Sequence, residues 1–136
     1  MKFELRELYW EGDIIEGELI LSKKPISFLG DVDTNGFVVA EDSDIKGEKI
    51  SGRIFAFPFG RGSTVGTYIM LQLAKKNLAP IALINKKTES IIATGAVISN
   101  IPLFDSPNPD LFDIKPGIYK ATIKKLGEHV ILNLKR

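Results

Sequence analysis

The chain is predicted to fold as a strand-rich α/β domain, for three reasons. Most of its apolar segments alternate with polar residues or come in short pulses, the pattern of half-buried and fully buried strands. One segment, from about Thr64 to Lys76, carries helical density. It follows an apolar run and a glycine-rich turn and precedes a second apolar run, which makes a βαβ crossover.

Residues 2–8 (KFELREL) set Phe3, Leu5 and Leu8 against Lys2, Glu4 and Arg6, and residues 14–21 (IIEGELIL) continue in pulses broken at Gly17. The two are expected to form an N-terminal antiparallel pair. Residues 49–57 (KISGRIFAF) read as a buried strand that ends at Pro58. In the helix, Val65, Tyr68, Ile69, Met70, Leu71 and Leu73 are too dense for a solvent-side element, so it is expected to be mostly buried. Ser63 suits its N-cap, Lys75 and Lys76 suit the negative end of its dipole, and Asn77 suits the left-handed residue that ends it. Residues 81–85, 91–99, 117–124 and 129–134 read as further strands, the last two joined by a turn at Leu126, Gly127 and Glu128. Residues 105–116 (DSPNPDLFDIKP) hold three of the seven prolines and three aspartates, and are expected to form an irregular surface loop.

A chain of 136 residues with 44% hydrophobic composition is expected to form a single domain over 1–136 with a core of its own. The net charge of +1 gives no electrostatic footprint for nucleic acid or a membrane surface. With no cysteine, this chain can hold neither a disulfide nor an iron–sulfur cluster by its own thiolates, and its single histidine excludes a multi-histidine metal centre. Glu4, Glu7 and Glu11 interrupt every apolar run near the start, so no signal peptide is read there. No stretch approaches the roughly 20 apolar residues of a membrane span, and a cytoplasmic location is expected.

The stretch Gly60-Arg61-Gly62-Ser63-Thr64-Val65-Gly66-Thr67 carries the most chemistry. Glycines let backbone amides approach a ligand closely, and the free N–H groups of a first helical turn favour a carboxylate or phosphate. Arg61 adds a planar cation that can grip such a group at two points. Ser63 can cap the helix, donate to a ligand or, in a strongly electropositive pocket, act as a base. No lysine follows the last glycine, which removes a Walker loop. Gly60, Gly62 and Gly66 only approach a dinucleotide fingerprint, because the third glycine is one position late. Elsewhere, His129 opens a strand and reads as a surface residue, and Asp31 and Asp33 read first as turn residues beside Gly30. Tyr9 and Trp10 read as core or interface aromatics, and Lys75, Lys76, Lys86 and Lys87 as solvated.

On these residues the chain resembles the small, swivel-domain subunit of the aconitase X family. The match runs from Gly12 to Pro102, through Gly17-Glu18, Pro25-Ile26-Ser27-Phe28, Gly30, Val32-Asp33, Gly36, Gly60-Arg61-Gly62-Ser63, Gly66, Tyr68, Ala79-Pro80, Thr94-Gly95-Ala96 and Ile101-Pro102. Val65 departs from it, standing where members commonly carry a hydroxyl. The resemblance implies the swivelling β/β/α fold of the small domain of aconitase-like enzymes and the activity of a hydro-lyase. It implies a separate large subunit carrying a [4Fe-4S] cluster whose open iron acts on the leaving hydroxyl, in at least a heterodimer, with no cofactor or metal on this chain. It further implies that Ser63 is the proton acceptor, that Arg61 stabilises its alkoxide or binds the substrate carboxylate, and that Gly60, Gly62 and Thr64 bind a small anionic substrate. Archaeal members imply dehydration of (R)-mevalonate 5-phosphate to the trans-anhydro product, and bacterial ones dehydration of cis-3-hydroxy-L-proline. An anion-binding module without proton transfer is the reading from another class.

Overall fold

Strands buried on both faces leave no room for polar alternation, and this chain's densest apolar triplets lie side by side for that reason. In the computed structural model, which describes residues 1–136, the parallel strands are β2 (Ile14–Leu21), β3 (Ile54–Ala56), β4 (Ala82–Ile84) and β5 (Leu103–Asn108). The antiparallel strands β1 (Lys2–Tyr9), β6 (Gly117–Leu126) and β7 (His129–Lys135) close them into a barrel of order β1-β5-β4-β3-β2-β6-β7, with β7 paired back onto β1.

Alternate side chains divide between two cores. Leu19, Leu21, Ile54, Ala56, Ala82 and Ile84 join Phe3, Leu5, Phe104 and Leu132 in one. Their neighbours Ile20, Phe55, Phe57 and Leu83 face the opposite way, under α2 (Val65–Lys75) and α3 (Ser90–Ile98) and under the long excursion between β2 and β3. Met70 and Leu73 of α2, Ile92 and Ala96 of α3, and Val38 and Ile50 of the excursion fill this second core. The excursion includes α1 (Phe28–Asp31), a single turn broken at Leu29 and Gly30.

The strand-rich α/β architecture and the β3–α2–β4 crossover are as expected, and so is the β6–β7 turn through Gly127 and Glu128. Four local expectations are corrected. The strand expected over 91–99 is instead the helix Ser90–Ile98, so a second crossover joins β4 to β5. Their β-branched composition reads as strand, but the Glu89 carboxylate accepts from the amides of Ile91 and Ile92 at 2.9 and 2.8 Å and starts a helix. β1 and β2 do not pair with each other: β2 gives one edge to β3 and the other to β6, while β1 lies between β5 and β7. The strand expected over 49–57 shortens to Ile54–Ala56, because Lys49 pairs with Phe37 and a turn follows at Ser51 and Gly52. The loop expected over 105–116 instead continues β5 to Asn108 and carries a 3-10 turn at Leu111–Asp113. No helix is long and apolar enough to cross a membrane.

Candidate active site

Pro58 has no N–H to give to a sheet, so the chain leaves the ladder just after β3 and enters the Gly60–Thr64 loop. That loop stands at the carboxyl ends of the parallel strands, where open α/β sheets bind ligands. It is zipped to the segment after β2: the Ile26 amide donates to the Phe59 carbonyl at 3.2 Å, and the Arg61 amide to the Ile26 carbonyl at 2.9 Å. Gly60 admits α3 closely, since a Cβ there would come within 2.5 Å of the Ile92 side chain. Gly62 sits at φ +100°, and a Cβ would meet Ser27 Oγ at 2.6 Å. The Pro25–Asp31 and Gly60–Ser63 blocks, distant in sequence, therefore form one surface.

Electrostatics join the same two blocks. The Arg61 guanidinium lies 3.6 Å from the Asp31 carboxylate, which is itself held by the Ser27 amide at 2.8 Å. Asp31 thus orients a half-exposed cation. Asp33, by contrast, accepts from the amides of Asn35 and Phe37 at 2.9 and 3.0 Å and is a turn residue, as its place beside glycine implies.

Ser63 is exposed at the tip of the loop. The helix N-cap is Thr64, one residue later than expected and without a side-chain bond; Ser63 Oγ instead accepts from the Val65 amide at 3.3 Å. The amides of Gly62, Ser63 and Thr64 donate to no protein acceptor. Three free N–H groups, an arginine and the start of α2 thus lie together on an exposed loop, a set of groups that favours an anion. No carboxylate or imidazole contacts the Ser63 hydroxyl within this chain.

The structure leaves the other candidates apart. His129 pairs with Glu4 at 2.7 Å, and the registers Leu21↔Gly117 and Leu126↔His129 place it at the opposite end of the barrel from the loop. No group of three or more His, Asp or Glu converges as a metal site. Trp10 is a core aromatic, edge-on to Phe104. Lys75, Lys76, Lys86 and Lys87 are exposed, and Lys86 pairs with Asp110 at 2.8 Å.

α2 is less buried than its apolar density predicts. Val65 and Tyr68 remain 42% and 63% exposed, Phe59 is exposed at the start of the loop, and Val97 and Ile98 are exposed at the end of α3. A groove of about 280 Å³ runs between α2 and α3, lined by Thr64, Tyr68, Ile91 and Ile98 among others.

Sequence reasoning missed the buried polar residues behind the loop. Asn85 and Asp105 have no exposed surface. Burial alone would raise the Asp105 pKa, but bonds from Arg6, the Thr88 amide and Ser106 outweigh it and hold the carboxyl below the usual range. The available signal was a polar residue set directly against a buried apolar run, at Ile84-Asn85 and Phe104-Asp105.

Comparison with known proteins places the fold in a family. The family model described as the aconitase X swivel domain matches residues 4–130. The phosphomevalonate dehydratase small subunit of Methanocaldococcus jannaschii is 50% identical over 120 residues, covering 88% of this chain and 91% of the relative. The crystal structure of Thermococcus kodakaraensis aconitase X in its holo-form superposes with a TM-score of 0.84 at 41% identity, covering 100% of this chain and 99% of that one. A solution NMR structure of a UPF0107 protein superposes at 0.79, also at 41% identity and over 100% of both chains. A strand-rich barrel with an exposed Gly-Arg-Gly-Ser loop, matched along nearly its whole length, belongs to the aconitase X swivel-domain family.

Proposed function

We propose that this chain is the small subunit of a phosphomevalonate dehydratase, with Ser63 as the proton acceptor in an active site completed by a large subunit. The observation that carries this reading is the Gly60–Ser63 loop: an exposed hydroxyl beside an arginine and three free amides, in a chain half identical to a relative of that name.

Arg61 and the amides of Gly62 and Thr64 bind the substrate carboxylate or stabilise the Ser63 alkoxide. Ser63 then takes a proton from the carbon next to that carboxylate. The electron pair left behind becomes the carbon–carbon double bond, the hydroxyl on the next carbon leaves with its bonding pair, and the proton on Ser63 passes to it as water. A serine hydroxyl is too weak an acid to ionise in bulk water at neutral pH, so the step requires cationic neighbours, the start of α2 and exclusion of water by the partner. These residues supply no thiolate and no clustered metal ligands, so they do not fit an iron–sulfur cluster. The [4Fe-4S] cluster implied by the resemblance belongs to the large subunit and supplies Lewis acidity there.

Anaerobic dehydration of mevalonate 5-phosphate by the two subunits mixed, beside each alone, tests the reading. Turnover is expected only in the mixture. A stable complex with an intact cluster and no turnover overturns the substrate assignment, and full turnover by the large subunit alone overturns the role of Ser63.

A further inference from the structure

The register Ala56↔Ile84 brings Phe57 opposite Asn85. In a parallel ladder the Phe57 amide then donates to the Ile84 carbonyl, as it does at 3.0 Å, and the Phe57 carbonyl accepts from the amide of Lys86. That second bond is missing. The amides of Lys86 and Lys87 both donate to Pro58 instead, at 2.8 and 3.2 Å, so the ladder slips by one residue where the chain turns into the Gly60–Ser63 loop. The orphaned Phe57 carbonyl accepts from the Asn85 side chain, Nδ2 donating at 2.9 Å, in a fully buried place.

Asn85 is itself held. Thr88 Oγ1 donates to its Oδ1 at 3.2 Å, and the Thr88 amide donates to Asp105 at 3.1 Å. Asp105 is gripped at two points by Arg6, at 2.7 and 2.9 Å. A hydrogen-bonded chain thus runs from β1 through β5 and the β4–α3 turn to the residue before Pro58.

We propose that Asn85, locked by Thr88, is a positioning residue for the Gly60–Ser63 loop: its carboxamide replaces the ladder bond given up at Pro58 and sets where Ser63 stands. The effect on turnover rests on the reading of Ser63 as proton acceptor; the effect on the loop does not. Since substitution of a buried asparagine can unfold the chain, the test uses Thr88→Val, which keeps shape and removes only the hydroxyl, with Thr88→Ser as the conservative partner.

Amide hydrogen exchange on the full chain reads the loop directly. In Thr88→Val the amides of Arg61 and Lys86, which bond across the base of the loop, are expected to exchange about tenfold faster, while β6 and β7 are unchanged and Thr88→Ser stays near the natural protein. In the complex with the large subunit, kcat is expected to fall about tenfold in Thr88→Val with KM within about twofold, and Thr88→Ser to restore it. Unchanged exchange at Arg61 and Lys86 overturns the proposal whatever the activity, and so does a loss of kcat that Thr88→Ser fails to restore. If the natural complex does not dehydrate mevalonate 5-phosphate, the functional reading falls while the exchange result still decides the role of Asn85.

Discussion

Ser63 and Arg61 stand exposed, and little of the fold depends on either. Ser63→Ala loses one bond to the Val65 amide, so its thermal stability should stay close to that of the natural chain. Its turnover in the complex should fall about 10²–10⁴-fold, the range for removal of a general base, with assembly unaltered; steady-state kinetics beside a pull-down of the two subunits checks both. Arg61→Lys keeps the charge and loses the planar fork, so kcat/KM should drop while melting is unchanged. Asp105 behaves differently because it is buried and accepts from four donors. Asp105→Asn turns one acceptor into a donor facing other donors and should cost about 1–3 kcal/mol in denaturant unfolding. Because the folded chain depresses this carboxyl, its contribution is present above the unfolded value near 4 and is lost as pH falls through the lower folded value. Acid titration of stability should therefore show a step in the natural chain that Asp105→Asn lacks.

Both helices end alike. Asn77 at φ 60° and Asn100 at φ 56° close α2 and α3, and the next amides, of Leu78 and Ile101, reach back to the carbonyls of Leu73 and Ala96, each at 2.8 Å. Asn77→Val should destabilise the chain by about 1–2 kcal/mol, the penalty of a left-handed backbone, and Asn77→Gly should be tolerated; thermal melts compare them. The end of α2 was legible because Asn77 follows two lysines after a dense apolar run. Asn100 carried the same message for α3, but Ile91, Ile92, Val97 and Ile98 spoke for a strand, and the cap is a glutamate rather than a serine or threonine. The loop itself was legible because glycines and an arginine mark it residue by residue. The support behind it was not, since Arg6 and Asp105 meet across 99 positions and nothing local announces the pairing.

At the scale of the molecule, the exposed side chains of Val65 and Tyr68 on the first turns of α2 follow directly on the Ser63 loop that the proposed large subunit must cover, and Val97 and Ile98 are exposed at the far end of α3. Tyr68→Asp should weaken assembly about tenfold or more, equivalent to about 1.4 kcal/mol, while the melting temperature of the isolated chain is unchanged; titration calorimetry of the two subunits checks this. The direction of that encounter follows from the closed barrel. Each strand has a paired neighbour on both sides, and even the first residue is tied in, the Met1 amino group donating to the Leu134 carbonyl at 3.0 Å. A closed ring has no edge strand, and the stretches paired on one side only, such as residues 14–18 of β2, are short, so it offers a poor template on which another polypeptide can add a strand. Recognition is therefore expected to rest on side chains and loop amides, which makes it chemical rather than a matter of β-propensity. It also lets an apolar helical face wait for its partner without inviting fibrous self-association.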